Sequence, residues 1–182
     1  MEKEEFHIQG LLLLKPRIFA DDRGHFMETW NERTFRELVG DHRFVQDNES
    51  TSRKNVLRGL HFQLAPHAQG KLVRVLKGAV LDVCVDIRKG SPSYGQHARI
   101  PLQAGDGKLL WIPPGFAHGF LALEEGTVFS YKCTALYHPA SERTILWNDE
   151  YLGIQWGTTD PIVSEKDQQG FAFAGPWDAT TT

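Results

Sequence analysis

The stretch Ala79-Val80-Leu81-Asp82-Val83-Cys84-Val85-Asp86-Ile87-Arg88 alternates, with Leu81, Val83, Val85 and Ile87 on one side and Asp82, Cys84 and Asp86 on the other. A period of two marks a β-strand, whose successive side chains point to opposite faces. Lys71 to Leu76 precedes it across a Lys77-Gly78 turn. Leu109 to Ile112, Leu121 to Leu123 and Thr127 to Thr134 follow it, separated by glycine and proline. One helix is expected near the start. Asn31 can cap it, Phe35, Leu38 and Val39 fall at helical spacing, and Gly40 can stop it. Many short strands with one early helix predict an all-β sandwich or jelly roll. A parallel nucleotide-binding sheet is disfavoured, because strands do not alternate with helices and no G-x-G-x-x-G follows a strand.

The 182 residues suit a single domain spanning 1–182, with Ala179-Thr180-Thr181-Thr182 as a frayed tail. A chain of this size can bury about 70% of its unfolded surface, enough for a core without disulfides. A hydrophobic fraction of 41% and a charged fraction of 24% exclude disordered and collagen-like classes. Twenty basic against 23 acidic residues leave a net charge of −3, which argues against bulk electrostatic binding of nucleic acid. A small basic pocket for one anion stays open. Cys84 and Cys133 are too few for a disulfide framework and sit in apolar stretches, so they read as reduced, buried thiols. No apolar run approaches the roughly 18 residues of a membrane span. The run Leu11 to Leu14 follows the acidic Glu2-Lys3-Glu4-Glu5, the wrong flank for a signal peptide, so a cytoplasmic protein is expected.

Four segments place polar groups in apolar surroundings. In Val56-Leu57-Arg58-Gly59-Leu60-His61-Phe62-Gln63, His61 is either a hydrogen-bonded core histidine or a general base. A regular strand puts Arg58 on the face opposite His61, whereas a bulge at Gly59 swings both to one side, and the sequence leaves both open. In Trp111-Ile112-Pro113-Pro114-Gly115-Phe116-Ala117-His118-Gly119-Phe120, His118 is solitary. Metal-binding barrels usually converge two or three histidines with a carboxylate, often as H-x-H. Here position 63 is Gln63, so no catalytic metal is expected. Tyr131 shares a strand face with Phe129 and Cys133, and can give a proton to a carbanion if it faces His61 across a cavity. In Ser164-Glu165-Lys166-Asp167 the spacing reads as a cap on a short turn. The alternative is that Asp167 holds the His61 imidazole and favours its protonated form.

Weaker candidates are Arg23, Phe26 and Glu28, the amides of Gln46 and Asn48, and Tyr137 beside a turn. A solvated loop explains each alone. Arg23, Arg58, Lys71 and Lys166 together can neutralise a diphosphate.

In order, Asp22-Arg23-Gly24, Phe44-Val45-Gln46-Asp47-Asn48, Leu57-Arg58-Gly59-Leu60-His61-Phe62-Gln63, Gly70-Lys71-Leu72-Val73-Arg74-Val75, Pro113-Pro114-Gly115-Phe116-Ala117-His118-Gly119-Phe120, Tyr131-Lys132-Cys133-Thr134 and Ser164-Glu165-Lys166-Asp167 closely resemble the dTDP-4-dehydrorhamnose 3,5-epimerase family. The resemblance runs from about residue 6 to about residue 175. It implies a metal-free cupin jelly roll that works as a homodimer, needs no cofactor and takes dTDP-4-dehydro-6-deoxy-D-glucose. By analogy His61 is the base, paired with Asp167, Tyr131 is the proton donor, and Lys71 stabilises the enolate oxygen, aided by His118. Arg23, Phe26, Glu28, Gln46, Asn48, Arg58, Glu142 and Lys166 hold the nucleotide and sugar, and Tyr137 stacks on the thymine. The family exchanges N-terminal segments across the dimer, so Arg23, Phe26 and Glu28 serve the partner's site. The rivals are an epimerase of one carbon, a ketoisomerase on the same fold, a sugar-nucleotide binding module without turnover, and a metal-dependent cupin.

Overall fold

The computed structural model describes residues 1–175; the expected tail at 179–182 lies outside the described residues. The strands are β1 (Glu2–Glu5), β2 (Leu12–Lys15), β3 (Ile18–Asp21), β4 (Gly24–Met27), β5 (Gln46–Ser52), β6 (Val56–Gln63) and β7 (Lys71–Lys77). They continue with β8 (Ala79–Asp86), β9 (His97–Gln103), β10 (Leu109–Ile112), β11 (Phe116–Ala122), β12 (Thr127–Cys133), β13 (Glu142–Thr144) and β14 (Ile162–Val163). The helices are α1 (Glu32–Leu38) and the single turn α2 (Glu165–Gln168). Among the described residues no helix is long and apolar enough to cross a membrane.

Two sheets face each other as a jelly-roll sandwich. One has the order β1-β2-β10-β7-β12-β5, the other β13-β6-β11-β8-β9 with β14 beside β6, and β3 and β4 form a separate hairpin. The Lys77-Gly78 turn is a corner between sheets, since β7 and β8 lie in different ones. Gly78 turns there at φ +77°, where an added Cβ would stand 2.5 Å from the Thr127 hydroxyl. The expected helix forms as α1, with the Asn31 side chain accepting from the Thr34 N–H and Gly40 following at φ +127°.

Three apolar clusters hold the layers. Leu11, Leu13, Val73, Val75, Val80, Leu110, Ile112, Phe116, Phe120 and Phe129 fill the space between the sheets. Phe35 of α1 joins Leu12, Leu14, Leu72, Leu109 and Trp111 on the outer side of the first sheet. The C-terminal segment covers the outer side of the second, where Ile145, Leu152, Ile154, Trp156 and Phe173 pack on Leu57, Val83, Val85, Ile87 and Leu121. So the alternating stretch around β8 is buried on both faces. Its apolar face, Val83, Val85 and Ile87, points outward under the C-terminal cover, and Cys84 points inward beside Phe116 and Phe120.

The pairing of β6 with β11 settles the question left at Gly59. His61 opposes His118 and Arg58 opposes Phe120, so three steps along β6 meet two along β11. This extra residue is a bulge, and it turns Arg58 and His61 to the same side. Gly59 sits at φ +132°, and an added Cβ would stand 2.5 Å from the Gly119 Cα and 2.9 Å from the His118 carbonyl oxygen.

A buried carboxylate anchors the far end of β8. Asp86 accepts from the Arg88 guanidinium at 2.7 and 2.8 Å and from the Ser91 and Ser93 hydroxyls at 2.6 and 2.7 Å. Burial works to raise its pKa, but the hydrogen bonds from Arg88, Ser91 and Ser93 outweigh this and bring it to about 2. A carboxyl depressed on folding contributes stability above its unfolded pKa of about 3.9. That contribution is lost as the pH falls through about 2. Asp86→Asn is expected to cost about 2 kcal/mol at neutral pH and less below pH ~4, measured by denaturant melts across pH. Gly59→Ala is expected to cost about 2 kcal/mol or more through strain and overlap with Gly119, read as a lowered melting temperature.

Candidate active site

A cavity of about 520 Å³ lies between the sheets. The bulged β6 brings Arg58 and His61 to it, β11 brings His118 and Phe120, β7 brings Lys71, and β12 brings Phe129 and Tyr131. Ser164, Lys166 and Asp167 come from the C-terminal segment, which closes one wall. Ser50 of β5 also lines it, and its buried hydroxyl has no hydrogen-bond partner among the described residues.

His61 Nε2 is 2.5 Å from Asp167 Oδ1. The other Asp167 oxygen accepts from the Gly59 N–H at 3.2 Å. Ser164 caps α2 by accepting from the Asp167 N–H, so the cap and the histidine partner are compatible roles of one short motif. Burial pushes the Asp167 carboxyl up, but the His61 hydrogen bond and charge, with Gly59 and Ser164, bring it below the usual carboxylate range. An ionised carboxylate there orients the imidazole and stabilises its charged form.

Tyr131 faces the same cavity from the opposite sheet. Burial raises its phenol pKa, which keeps the proton on oxygen at neutral pH. Lys71 opposes Cys133 across the β7–β12 pair and is partly buried, and its ammonium makes no hydrogen bond or ion pair among the described residues. Burial lowers its pKa, while Cys133, Cys84, Asp82 and Glu142 pull it the other way. His118 is buried, and its Nε2 lies 2.8 Å from Asp82 Oδ2. Asp82 was not among the residues singled out from sequence. Its signal was its place on the polar side of the β8 alternation, the side that turns inward.

A chain of hydrogen bonds leads away from Lys166, which lines the cavity. Lys166 pairs with Glu142 at 2.6 Å, and the same Glu142 oxygen accepts from the Tyr137 hydroxyl at 2.7 Å. The Tyr137 N–H donates to Gln46 Oε1, and Gln46 donates to Asn48 Oδ1. Burial raises the Glu142 pKa, but Lys166 and Tyr137 offset this and leave it lowered. Tyr137 itself is half exposed beside this chain.

Seven candidates do not line the cavity of their own chain: Gln46, Asn48, Tyr137 and Glu142, joined to it through Lys166, and Arg23, Phe26 and Glu28, which stand apart from it. Arg23 lies in the β3–β4 hairpin and pairs with Asp21 at 2.6 Å, and Phe26 is 69% exposed on the same hairpin. Glu28 follows the hairpin and accepts from Asn31 at 3.3 Å.

The family model described as dTDP-4-dehydrorhamnose 3,5-epimerase matches residues 5–175. A protein of that name from Salmonella typhimurium is 54% identical over 162 residues, spanning 88% of each chain. A Legionella pneumophila dTDP-6-deoxy-D-glucose-3,5-epimerase, solved in complex with dTDP-4-keto-L-rhamnose, superposes with a TM-score of 0.90 at 44% identity, over 94% of this chain and 92% of that one. A 3'-monoepimerase from Streptomyces bikiniensis, in complex with dTDP-quinovose, gives a TM-score of 0.88 at 32% identity, over 93% and 86%. With a family model matched along nearly its whole length and relatives at half identity or better, the chain belongs to the dTDP-4-dehydrorhamnose 3,5-epimerase family.

Proposed function

We propose that this protein converts dTDP-4-dehydro-6-deoxy-D-glucose into dTDP-4-dehydro-L-rhamnose by inverting carbons 3 and 5. The observation that carries this reading is the pairing of His61 with Asp167 on one wall of a cavity whose opposite wall presents Tyr131. Carbons 3 and 5 flank the ketone at carbon 4, so loss of either proton gives an enolate. His61 removes the proton, and Asp167 holds the imidazole and steadies its charge. Tyr131 returns a proton from the other face, which inverts the carbon. Lys71 and His118 stabilise the enolate oxygen, the logic of an oxyanion hole. The C–H bonding pair stays in the substrate, delocalised onto the ketone oxygen, and forms the new C–H bond, so no redox carrier is needed; solvent takes the proton from His61 and returns one to Tyr131 before the second carbon reacts.

Arg58, Lys166, Glu142, Gln46 and Asn48 are assigned to the nucleotide and sugar, with Tyr137 stacking on the base. Lys166 and Arg58 supply positive charge for the diphosphate. Arg23, Phe26 and Glu28 are assigned to the site of a second copy in a homodimer. The reading is supported by an exposed aromatic hairpin that does not reach the cavity of its own chain. Two unpaired, buried thiols suit a cytoplasmic enzyme.

Incubation with the 4-ketosugar in D₂O, followed by NMR, tests the reading. Deuterium at both carbons with formation of the L-lyxo ketosugar is expected. Label at a single carbon would reduce the activity to that of a mono-epimerase, and binding without exchange would leave only a sugar-nucleotide binding module. His61→Asn is expected to lower turnover by about 10²- to 10⁴-fold with the fold intact, by steady-state kinetics and circular dichroism. Tyr131→Phe is expected to impair epimerisation more than loss of the substrate's proton to solvent; equal losses would remove Tyr131 as the donor.

A further inference from the structure

We propose that Asp82, Cys84 and His118 form a binding site for a thiophilic divalent cation such as Zn²⁺, whose occupancy blocks the active site. One oxygen, one sulfur and one nitrogen donor from these residues all lie within 4.8 Å of one another. His118 Nε2 is 2.8 Å from Asp82 Oδ2, and Cys84 Sγ is 3.5 Å from Asp82 Oδ1. Tetrahedral zinc with bonds of about 2.0–2.3 Å spaces its donors by about 3.3–3.8 Å, so the Asp82–His118 contact would widen and the His118–Cys84 spacing, within 4.8 Å, would close by up to about 1 Å.

The strands hold the donors in this arrangement. Cys84 and His118 are directly opposed across β8 and β11, and Asp82 lies two residues from Cys84 on the same face. All three are buried. A carboxylate, a thiolate and a neutral imidazole cancel the two charges of the cation, so the occupied site buries no net charge. Binding sends the Cys84 thiol proton to solvent and leaves His118 as the neutral tautomer with its proton on Nδ1, any second imidazolium proton also going to solvent; no group changes oxidation state. His118 also lines the cavity, whereas Asp82 and Cys84 are fully buried behind it, so the cation would sit beneath the cavity wall. Lys71 faces the same floor, and as an ammonium it opposes the cation; burial, which lowers its pKa, weakens that opposition.

Occupancy would take His118 away from the enolate oxygen. The inhibition therefore rests on the epimerase reading, whereas the binding does not. Untagged full-length protein is titrated with Co²⁺, then with Zn²⁺. One equivalent of Co²⁺ is expected to give a thiolate-to-cobalt charge-transfer band that Zn²⁺ abolishes. The band persists in Cys133→Ala and is missing in Cys84→Ala. In turnover assays Zn²⁺ is expected to inhibit the wild-type protein reversibly with EDTA. Cys84→Ala retains uninhibited activity and raises the half-inhibiting Zn²⁺ concentration by at least about tenfold. No stoichiometric band, or a Cys84→Ala protein as sensitive as wild type, would overturn the proposal. A band in a wild-type protein without turnover would overturn the epimerase reading and leave the cation site standing.

Discussion

Gly59 and Gly119 meet backbone to backbone, and the chemistry of the cavity depends on that contact. Side chains at either position would hold β6 and β11 apart. Their absence lets β6 take its extra residue there, and the bulge sends Arg58 and His61 into the same space. Without it, alternation would send one of the two into the outer layer among Leu57, Leu60 and Phe62. The same turn of chain frees the Gly59 N–H to hold Asp167, so the glycine that aims the histidine also fixes the histidine's partner.

A second constraint is the polarity of β8. In most half-buried strands the apolar side faces the core and the polar side faces water. Here the sandwich interior receives Asp82 and Cys84, while the apolar side is covered from outside by the C-terminal segment. A barrel with a reactive interior needs a second core elsewhere. This one has two, one under α1 and one under residues 145–173.

Much of this was legible in the sequence. The β8 alternation, the Asn31 cap and the Gly40 stop read directly, because period and cap chemistry are local. The strand β5 was missed because Gln46 to Ser52 contains no apolar residue, and its inner face is built from amides and hydroxyls. β11 was read only at its end, because Phe116 to Ala122 is buried on both faces and has no period to detect. The choice at Gly59 stayed open because a bulge depends on the neighbouring strand, and Gly119 is 60 residues away in sequence. Ser164 and Asp167 looked like a choice between a cap and a histidine partner. The short helix makes them both, since the backbone N–H of Asp167 serves the cap and its carboxylate is left for His61.

The segment that covers the second sheet also carries Asp167 and Lys166. As the chain leaves the ribosome, every strand of both sheets up to β12 is made before either residue. The barrel can therefore assemble its inner core while the His61 imidazole still has no carboxylate. The His61–Asp167 pair and the outer hydrophobic layer are completed together, by the last part of the described chain to be synthesised. A chain stopped short of this segment would lack both the carboxylate partner of His61 and the cover of the second sheet.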